Sequence, residues 1–279
     1  MHTQESRTEL EQELQQIAKW EKDQRGSSIL DKIGRIPFML LDRLTPKFIR
    51  DKIGAAINEL GRFIQNGGKY LISPKGIMQR LAKASDQEGT ELTPREVAKL
   101  PLKVMDNAAM DISRSRSNLA ALEGAASGVG GIFTIAADIP AMIGISLKAL
   151  QEIALCYGYY PSDPQERLFI LKCLQFASSD VVGKKAVLEE LADFEKGDTG
   201  KEVFSQIQGW REVITTYRDN FGWRKLFQAV PVAGIIFGSF VNKNSLEALT
   251  EVGRTLYRKR RIMERLQQME QAESGAAEA

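Results

Sequence analysis

The sequence predicts an all-α fold, and three observations support this prediction. Helix-start patterns recur along the chain, strand patterns are nearly absent, and the long apolar stretches repeat with helical spacing. Apolar residues make up 43% of the 279 residues, which suffices for a sizeable core. We therefore expect a single multi-helix domain.

Helix starts are marked by capping residues, in which a side chain accepts a hydrogen bond from a free backbone amide. Capping boxes are predicted at Ser6/Glu9, Thr93/Glu96 and Asp163/Glu166, and further starts at Thr45-Pro46 and Ser73-Pro74. The segment after Pro164 is apolar on most of its circumference, which predicts a central buried helix. Residues 85–92 predict a loop. Further helices are predicted at 181–196, 200–220, 224–241 and 245–269.

No Pro- or Ser-rich linker divides the chain. We predict an N-terminal helical extension over 1–30, one helical domain over 31–269, and a disordered tail over 270–279.

Two apolar segments, 124–149 and 229–241, are rich in glycine. Glycine costs about 1 kcal/mol relative to alanine inside a helix, so clusters of it need a compensating reason such as the close approach of another helix. We predict two helical hairpins packed together through these segments. The residues expected at the close contacts are Gly124, Gly128, Gly131, Gly234 and Gly238.

These segments are also candidates for membrane insertion. Residues 226–242 form an uncharged run of 17 residues, the short limit for a spanning helix, but Pro231 interrupts it. Asp138 and Pro140 interrupt the other run, and Asp138 has the character of a helix cap. A buried core is favoured over insertion into a membrane surface or a true span.

The residue inventory argues against several activities. The only histidine is His2, at the start of the chain, so triads and His-bearing zinc sites are not expected. Cys156 and Cys173 lie in apolar sequence without metal-ligand spacing, which favours a reducing compartment. A net charge of +2 does not indicate nucleic-acid binding. The polar N-terminus lacks the pattern of a signal peptide.

Three polar residues are candidate ligand contacts: Asp138, Glu166 and Arg167. Asp138 is more simply a helix cap, and Glu166 a capping-box residue beside an arginine that bonds a helix end. The alternative is an anion site in which Arg167 and the helix's first amides face one group. An Asp138/Glu152 catalytic pair is disfavoured, because fourteen helical residues would separate the two by about 21 Å.

The terminal helix carries a basic cluster. Its cations are Arg254, Arg258, Lys259, Arg260, Arg261 and Arg265, and apolar residues interleave with them. The first five are the candidate membrane-surface residues, since each cation near an anionic membrane contributes about 1 kcal/mol. A solvated helix whose cations complement its own dipole is the simpler alternative.

The order of several motifs resembles the EcsC protein family over about residues 35–262. These motifs are GAASGVGG, Asp138-Ile139-Pro140, Tyr157-Gly158-Tyr159, Glu166-Arg167 and the run AVPVAGIIFGSFVN before a helix ending Tyr257-Arg258-Lys259-Arg260. The helix at 5–25 lies outside this resemblance. EcsC-like proteins are mainly bacterial, so the resemblance implies a bacterial protein. The founding member is named for an operon that also encodes an ABC transporter and affects secretion. It supplies no catalytic residues.

Three functions follow as hypotheses. The first is a non-enzymatic accessory or scaffold protein, cytoplasmic or peripheral to the inner face of the membrane, whose partner is an anionic membrane surface or a transport component. The second is a module that binds a lipid or hydrophobic molecule between the glycine-rich hairpins. The third, a hydrolase or transferase, requires at least two of Asp138, Glu152, Tyr157, Glu166 and Lys243 to converge in an open pocket. No cofactor or metal is expected.

Overall fold

The computed structural model describes residues 5–24, 61–63, 71–127, 139–178, 181–195 and 245–277. Within these residues every regular element is a helix and no strand is present, so the predicted all-α class is confirmed. The helices are α1 (Arg7–Gln24), α2 (Pro74–Ala84), α3 (Pro94–Val97), α4 (Leu102–Ser127), α5 (Ile139–Cys156), α6 (Pro164–Ser178), α7 (Val181–Glu195) and α8 (Ser245–Ala277). In this part of the chain no helix combines the length and the apolar character needed to cross a membrane.

Two of the predicted capping boxes are confirmed. The Ser6 amide donates to Glu9 Oε2 at 2.7 Å, and the Glu9 amide donates to Ser6 Oγ at 3.4 Å. Thr93 and Glu96 make the same reciprocal pair of bonds at the start of α3. These local interactions involve residues three positions apart, which is why the sequence alone predicts them.

The segment that starts at Thr93 is interrupted. α3 ends at Val97, and the long helix α4 begins only at Leu102. Pro101 explains the break, because a proline disfavours helical backbone at the residue before it, here Leu100. Pro101 lies at the start of α4, where a missing backbone donor costs nothing.

The terminal helix is longer than predicted. α8 continues to Ala277, so residues 270–277 are helical where we predicted a disordered tail. Residues 267–277 are rich in Gln, Glu and Ala, which favour helix. Glu270 and Glu273 also pair with Arg7 of α1, at 3.2 and 2.8 Å. The composition of the tail carries no information about this neighbouring helix.

Helix α8 is the centre of the described architecture and contacts α1, α4, α5 and α6. A Cβ on Gly253 would lie 2.7 Å from Leu150 Cδ2, so α8 and α5 cross closely. Leu147–Ile153 (LKALQEI) and Leu246–Val252 (LEALTEV), which resemble each other in sequence, therefore lie near one crossing point. α6 is buried as predicted, and its core residues are Leu168, Phe169, Ile170, Leu171, Cys173, Leu174 and Phe176.

Several predictions fall on residues outside the described ranges. Gly124 lies within α4, but Gly128, Gly131, Gly234 and Gly238 lie outside, as do Asp138 and the helices predicted at 200–220 and 224–241. The pairing of two glycine-rich hairpins and the domain boundaries therefore stay predictions.

Candidate functional site

The basic cluster of α8 is turned into the protein. Among the described residues, Arg265 pairs with Glu5, and four of the five candidate membrane-surface cations also form ion pairs; none of these four side chains is more than 22% exposed. The pairs are Arg258 with Glu13 (2.5 Å) and Asp106 (3.0 Å), Lys259 with Glu21 (2.9 Å), Arg260 with Glu166 (2.8 Å) and Arg261 with Glu264 (2.7 Å). The expectation of a solvated cluster is corrected by this geometry. Binding of lipid through these four cations stays a prediction, and it would require these pairs to break.

The most enclosed carboxylate of these pairs is that of Glu166, whose side chain is 4% exposed. Tyr257 Oη donates to one carboxylate oxygen at 2.5 Å, and Arg260 donates to the other at 2.8 Å. The Arg260 guanidinium lies over the rings of Tyr159 and Phe169, at 4.2 and 5.0 Å from their centroids. We call these five residues the Glu166 cluster. It joins α6, α8 and the loop after α5.

Burial sets the protonation behaviour of this cluster. Removal from water raises the pKa of the Glu166 carboxyl, and the charge of Arg260 and the Tyr257 hydrogen bond only partly oppose it. Burial also raises the pKa of the Tyr257 hydroxyl and of the Cys173 thiol well above their usual values. The cluster thus joins helices by charge and hydrogen bonding inside the core.

The third predicted capping box is wrong in its side-chain contacts. Glu166 bonds Tyr257 and Arg260 of α8 instead of the start of its own helix. Arg167 donates from Nε and Nη2 to the Ser162 carbonyl, at 3.2 and 2.7 Å. Glu166 and Arg167 therefore do not face one group among these contacts. The motif could not show that α8 supplies a competing partner.

Two arginines of α8 bind carbonyls at the ends of other helices. Arg261 donates from Nε and Nη2 to Tyr157 O at 3.0 and 2.7 Å, just beyond the end of α5. Arg265 donates to Ala98 O at 3.1 Å and also bonds Leu100 O, just beyond α3. Carbonyls at a helix end lack intrahelical partners and carry partial negative charge. The cations thus complement the dipoles of α3 and α5, in addition to any effect on their own helix.

The loop between α5 and α6 depends on one glycine. Gly158 has a φ of +78°, which favours glycine, and a Cβ there would lie 2.6 Å from Pro94 O and 2.7 Å from Ala98 N. Only glycine fits so close to the backbone of α3. This requirement explains the glycine between Tyr157 and Tyr159.

A second region beside α8 is open. A cleft of about 700 Å³ lies between α1, α4 and α8, with Tyr157 in its lining. Asp106 is engaged there, since it accepts from Tyr157 Oη at 2.7 Å and from Arg258 Nε at 3.0 Å. Asp111, Arg114 and Arg254 also line the cleft. We call it the Arg254 cleft.

Arg254 differs from the other cations of α8. Its Nη1 donates to the Met110 sulfur at 3.2 Å, and its Nε is buried without a hydrogen-bond partner among the described residues. Sulfur is a weak acceptor. Arg254 therefore keeps donor capacity that the described part of the fold does not use.

Sequence reasoning missed the α4 side of this cleft. Asp106, Met110 and Arg114 recur every four residues, which places them on one face of a helix. Many solvated helix faces show the same spacing, so the pattern alone does not select them. Within the described ranges, no three His, Cys, Asp or Glu side chains are grouped to hold a metal.

Comparison with known proteins identifies the family. The pattern of the EcsC protein family matches residues 11–262, which is most of the chain. The chain belongs to the EcsC protein family. The match begins inside α1, so the helix that we placed outside the resemblance lies largely within it.

Two relatives come from Bacillus subtilis (strain 168). The chain is 52% identical over 266 residues to "Uncharacterized protein YdbA", covering 95% of this chain and 97% of that protein. It is 32% identical over 170 residues to "Protein EcsC", covering 61% of this chain and 69% of that protein. No solved structure matches the chain.

Proposed function

We propose that this chain is a non-enzymatic accessory or scaffold protein that acts at the cytoplasmic face of a membrane, beside transport or secretion machinery. The observation that supports a scaffold role is the use of buried charge in the described helices. The ion pairs of α8 reach α1, α4 and α6, so one terminal helix is joined to three others.

The positions of the candidate catalytic residues favour this role over an enzyme. Glu152 is 4% exposed and receives two hydrogen bonds from Arg116, at 2.6 and 2.8 Å. Glu166 is enclosed by Tyr257 and Arg260. Of the three candidates within the described residues, only Tyr157 lines the Arg254 cleft. Asp138 and Lys243 lie outside those residues.

The link to a membrane is supported by the resemblance to a family named for an operon that encodes a transporter. The structure changes how this link is tested. Neutralising Arg258, Lys259, Arg260 and Arg261 together removes internal ion pairs, so lost binding would report unfolding. Arg254 is the member of the cluster that can be neutralised without breaking an ion pair among the described residues.

Vesicle flotation tests the membrane part of the proposal. We expect the wild-type chain to float with phosphatidylglycerol vesicles at low salt and not with phosphatidylcholine vesicles. High salt is expected to release it, since surface charges are then screened.

The matched variants are Arg254→Gln and Lys185→Gln, each checked for an unchanged circular dichroism spectrum. Lys185 is an exposed cation on α7 that does not belong to the basic cluster, and its loss is expected to leave flotation unchanged. Failure of the wild-type chain to float with phosphatidylglycerol vesicles would overturn the membrane part.

A further inference from the structure

The Arg254 cleft has the size of a small-molecule site. Its volume of about 700 Å³ lies within the range of roughly 300–1,000 Å³ that such sites occupy. Ile17, Trp20 and Met110 give it an apolar side, and charged residues line the rest. Apolar walls with a few convergent polar groups are typical of ligand sites.

Trp20 is held in place before any ligand arrives. Its Nε1 donates to Glu251 at 2.9 Å, and its ring packs against Phe176 with centroids 5.7 Å apart. A fixed aromatic wall loses little freedom when a ligand packs against it.

The charges of the cleft favour an anion. The charged residues that line the cleft are two acids, Asp106 and Asp111, and three arginines, Arg114, Arg254 and Arg258. These lining groups sum to one positive charge. Arg114 makes no hydrogen bond or ion pair with a described residue, and Arg254 bonds only the Met110 sulfur among them.

The guanidinium of Arg254 points to where the anion is held. Its Nε is buried and closed to a ligand, but its Nη2 has no hydrogen bond to a described residue, and its Nη1 bonds only the weakly accepting Met110 sulfur. A guanidinium presents donors in a planar fork that matches the two oxygens of a carboxylate or the oxygens of a phosphate. A ligand oxygen would supply the strong acceptor that the Met110 sulfur does not.

We propose that the Arg254 cleft binds a small organic anion, whose carboxylate or phosphate is held by Arg254 and whose apolar part packs on Trp20 and Ile17. Arg114 adds a second positive charge at this site. The inference does not rest on the proposed scaffold function, because it is argued only from the lining of the cleft and the donors of Arg254.

Calorimetric titration of the full chain tests the proposal with three probes. Phenyl phosphate and benzoate present an aromatic body with an anion, and benzyl alcohol presents a similar body without charge. We expect saturable binding of at least one anion and at least tenfold weaker binding of benzyl alcohol. Equal binding of benzyl alcohol, or no saturable binding of either anion, would overturn the proposal.

The deciding variant is Arg254→Met, and its matched control is Arg95→Met. Arg95 is an exposed arginine of α3 outside the cleft, so its loss removes the same charge from the chain. We expect Arg254→Met to weaken anion binding at least tenfold and Arg95→Met to leave it within about twofold, because a charge-assisted hydrogen bond is lost only in the first. Equal losses in both would show that only overall charge matters, and would contradict the proposal.

Asp111→Asn supplies a second variant that keeps the test valid if Arg254→Met fails to fold. Asp111 is exposed and lines the cleft, so its carboxylate repels an anion there. Its neutralisation is expected to strengthen anion binding, and weaker binding would count against the assignment.

The position of the bound probe can be read from the indole signals. The chain has three tryptophans, and Trp20→Phe identifies the Trp20 signal in a ¹H–¹⁵N spectrum. We expect phenyl phosphate to shift this signal and not the other two, and shifts confined to the other two would place the anion elsewhere.

Monomeric dihexanoyl phosphatidate distinguishes the source of the phosphate. Markedly tighter binding than phenyl phosphate would identify a lipid headgroup, and equal binding would identify a soluble anion.

Discussion

Two regions beside helix α8 use the same residue type in opposite ways. Arg260 lies inside the Glu166 cluster, paired with a buried carboxylate at 2.8 Å and covered by aromatic rings. Arg254, six positions earlier, bonds a sulfur and leaves its Nε without a partner among the described residues. The helix is continuous through both, so the neighbouring elements make the difference.

The comparison separates groups that hold the fold from groups that are available to a ligand. A buried charge is tolerated where its partner comes from the same fold, as in the Glu166 cluster. A donor left unsatisfied at a cleft weakens the fold slightly and is retained where function requires it. The four changes below test this distinction, from the largest expected effect to the smallest.

Arg260→Met is expected to cost about 3–5 kcal/mol of unfolding free energy at pH 7.5, because it leaves the Glu166 carboxylate buried without its cation. Burial raises the pKa of Glu166, and loss of Arg260 raises it further, so the folded state binds a proton more readily than the unfolded state. Stability therefore falls as pH rises from about 4.3, the unfolded value, through the folded-state pKa. Urea unfolding should show a smaller loss at pH 5 than at pH 7.5.

The double variant Glu166→Gln/Arg260→Met is the control for this titration. It has no ionisable group at position 166, so its loss of unfolding free energy should be nearly the same at pH 5 and at pH 7.5. A loss in Arg260→Met that is the same at both pH values would show that Glu166 is not the titrating group.

Gly158→Ala is expected to cost about 2–4 kcal/mol, since it combines an unfavourable φ with contacts to the α3 backbone. Gly158 connects Tyr157, which lines the Arg254 cleft, with Tyr159 of the Glu166 cluster. Gly89→Ala is the matched control, because its φ is +91° but no atom lies within 4 Å of an added Cβ. It should cost about 1–2 kcal/mol, for the backbone strain alone. Urea unfolding measures both variants. Equal losses of unfolding free energy would show that contact with the α3 backbone does not contribute to the cost of Gly158→Ala.

Arg254→Met is expected to change the unfolding free energy by less than about 1 kcal/mol, and a small gain is consistent with removal of an unsatisfied donor. This is the opposite of Arg260→Met, although both replace an arginine of α8 by the same residue. Urea unfolding at pH 7.5 measures both variants under identical conditions. A loss above about 2 kcal/mol would place Arg254 among the structural cations.

Glu189→Gln is expected to change stability by less than about 0.5 kcal/mol. The Lys185–Glu189 pair of α7 spans 3.9 Å with both side chains about two-thirds exposed, so water screens it. It provides the reference for an ion pair without burial. An effect comparable to that of Arg260→Met would mean that burial is not what distinguishes the Glu166 cluster.

The sequence predicted those parts of the fold that depend on near neighbours in the chain. The boxes at Ser6 and Thr93 and the buried helix α6 follow from residues within one element. The box at Asp163 failed because Glu166 has a stronger partner on α8. Local spacing carries no information about a helix that arrives from far along the chain.

The candidate site shows the same limit. The sequence identified the basic cluster of α8. Because the sequence does not show which elements surround this helix, solvent and lipid were the two alternatives for what its cations contact. Neither alternative included carboxylates of α1, α4 and α6 or the carbonyl ends of α3 and α5. The α4 side of the Arg254 cleft was missed, because its spacing resembles that of any polar helix face.

The sequence by itself determined the all-α class, the family and the absence of histidine from every position but the second. Composition and spacing suffice for these, since they depend on residue type and on neighbours within one helix turn. Only the tertiary structure decided that Arg260 is enclosed and that Arg254, beside a cleft, keeps a donor that the described residues do not use. The contribution of a charged group to stability or binding depends on its distance to other charges and on its exposure to water. Both are set when helices that are distant in the sequence pack together.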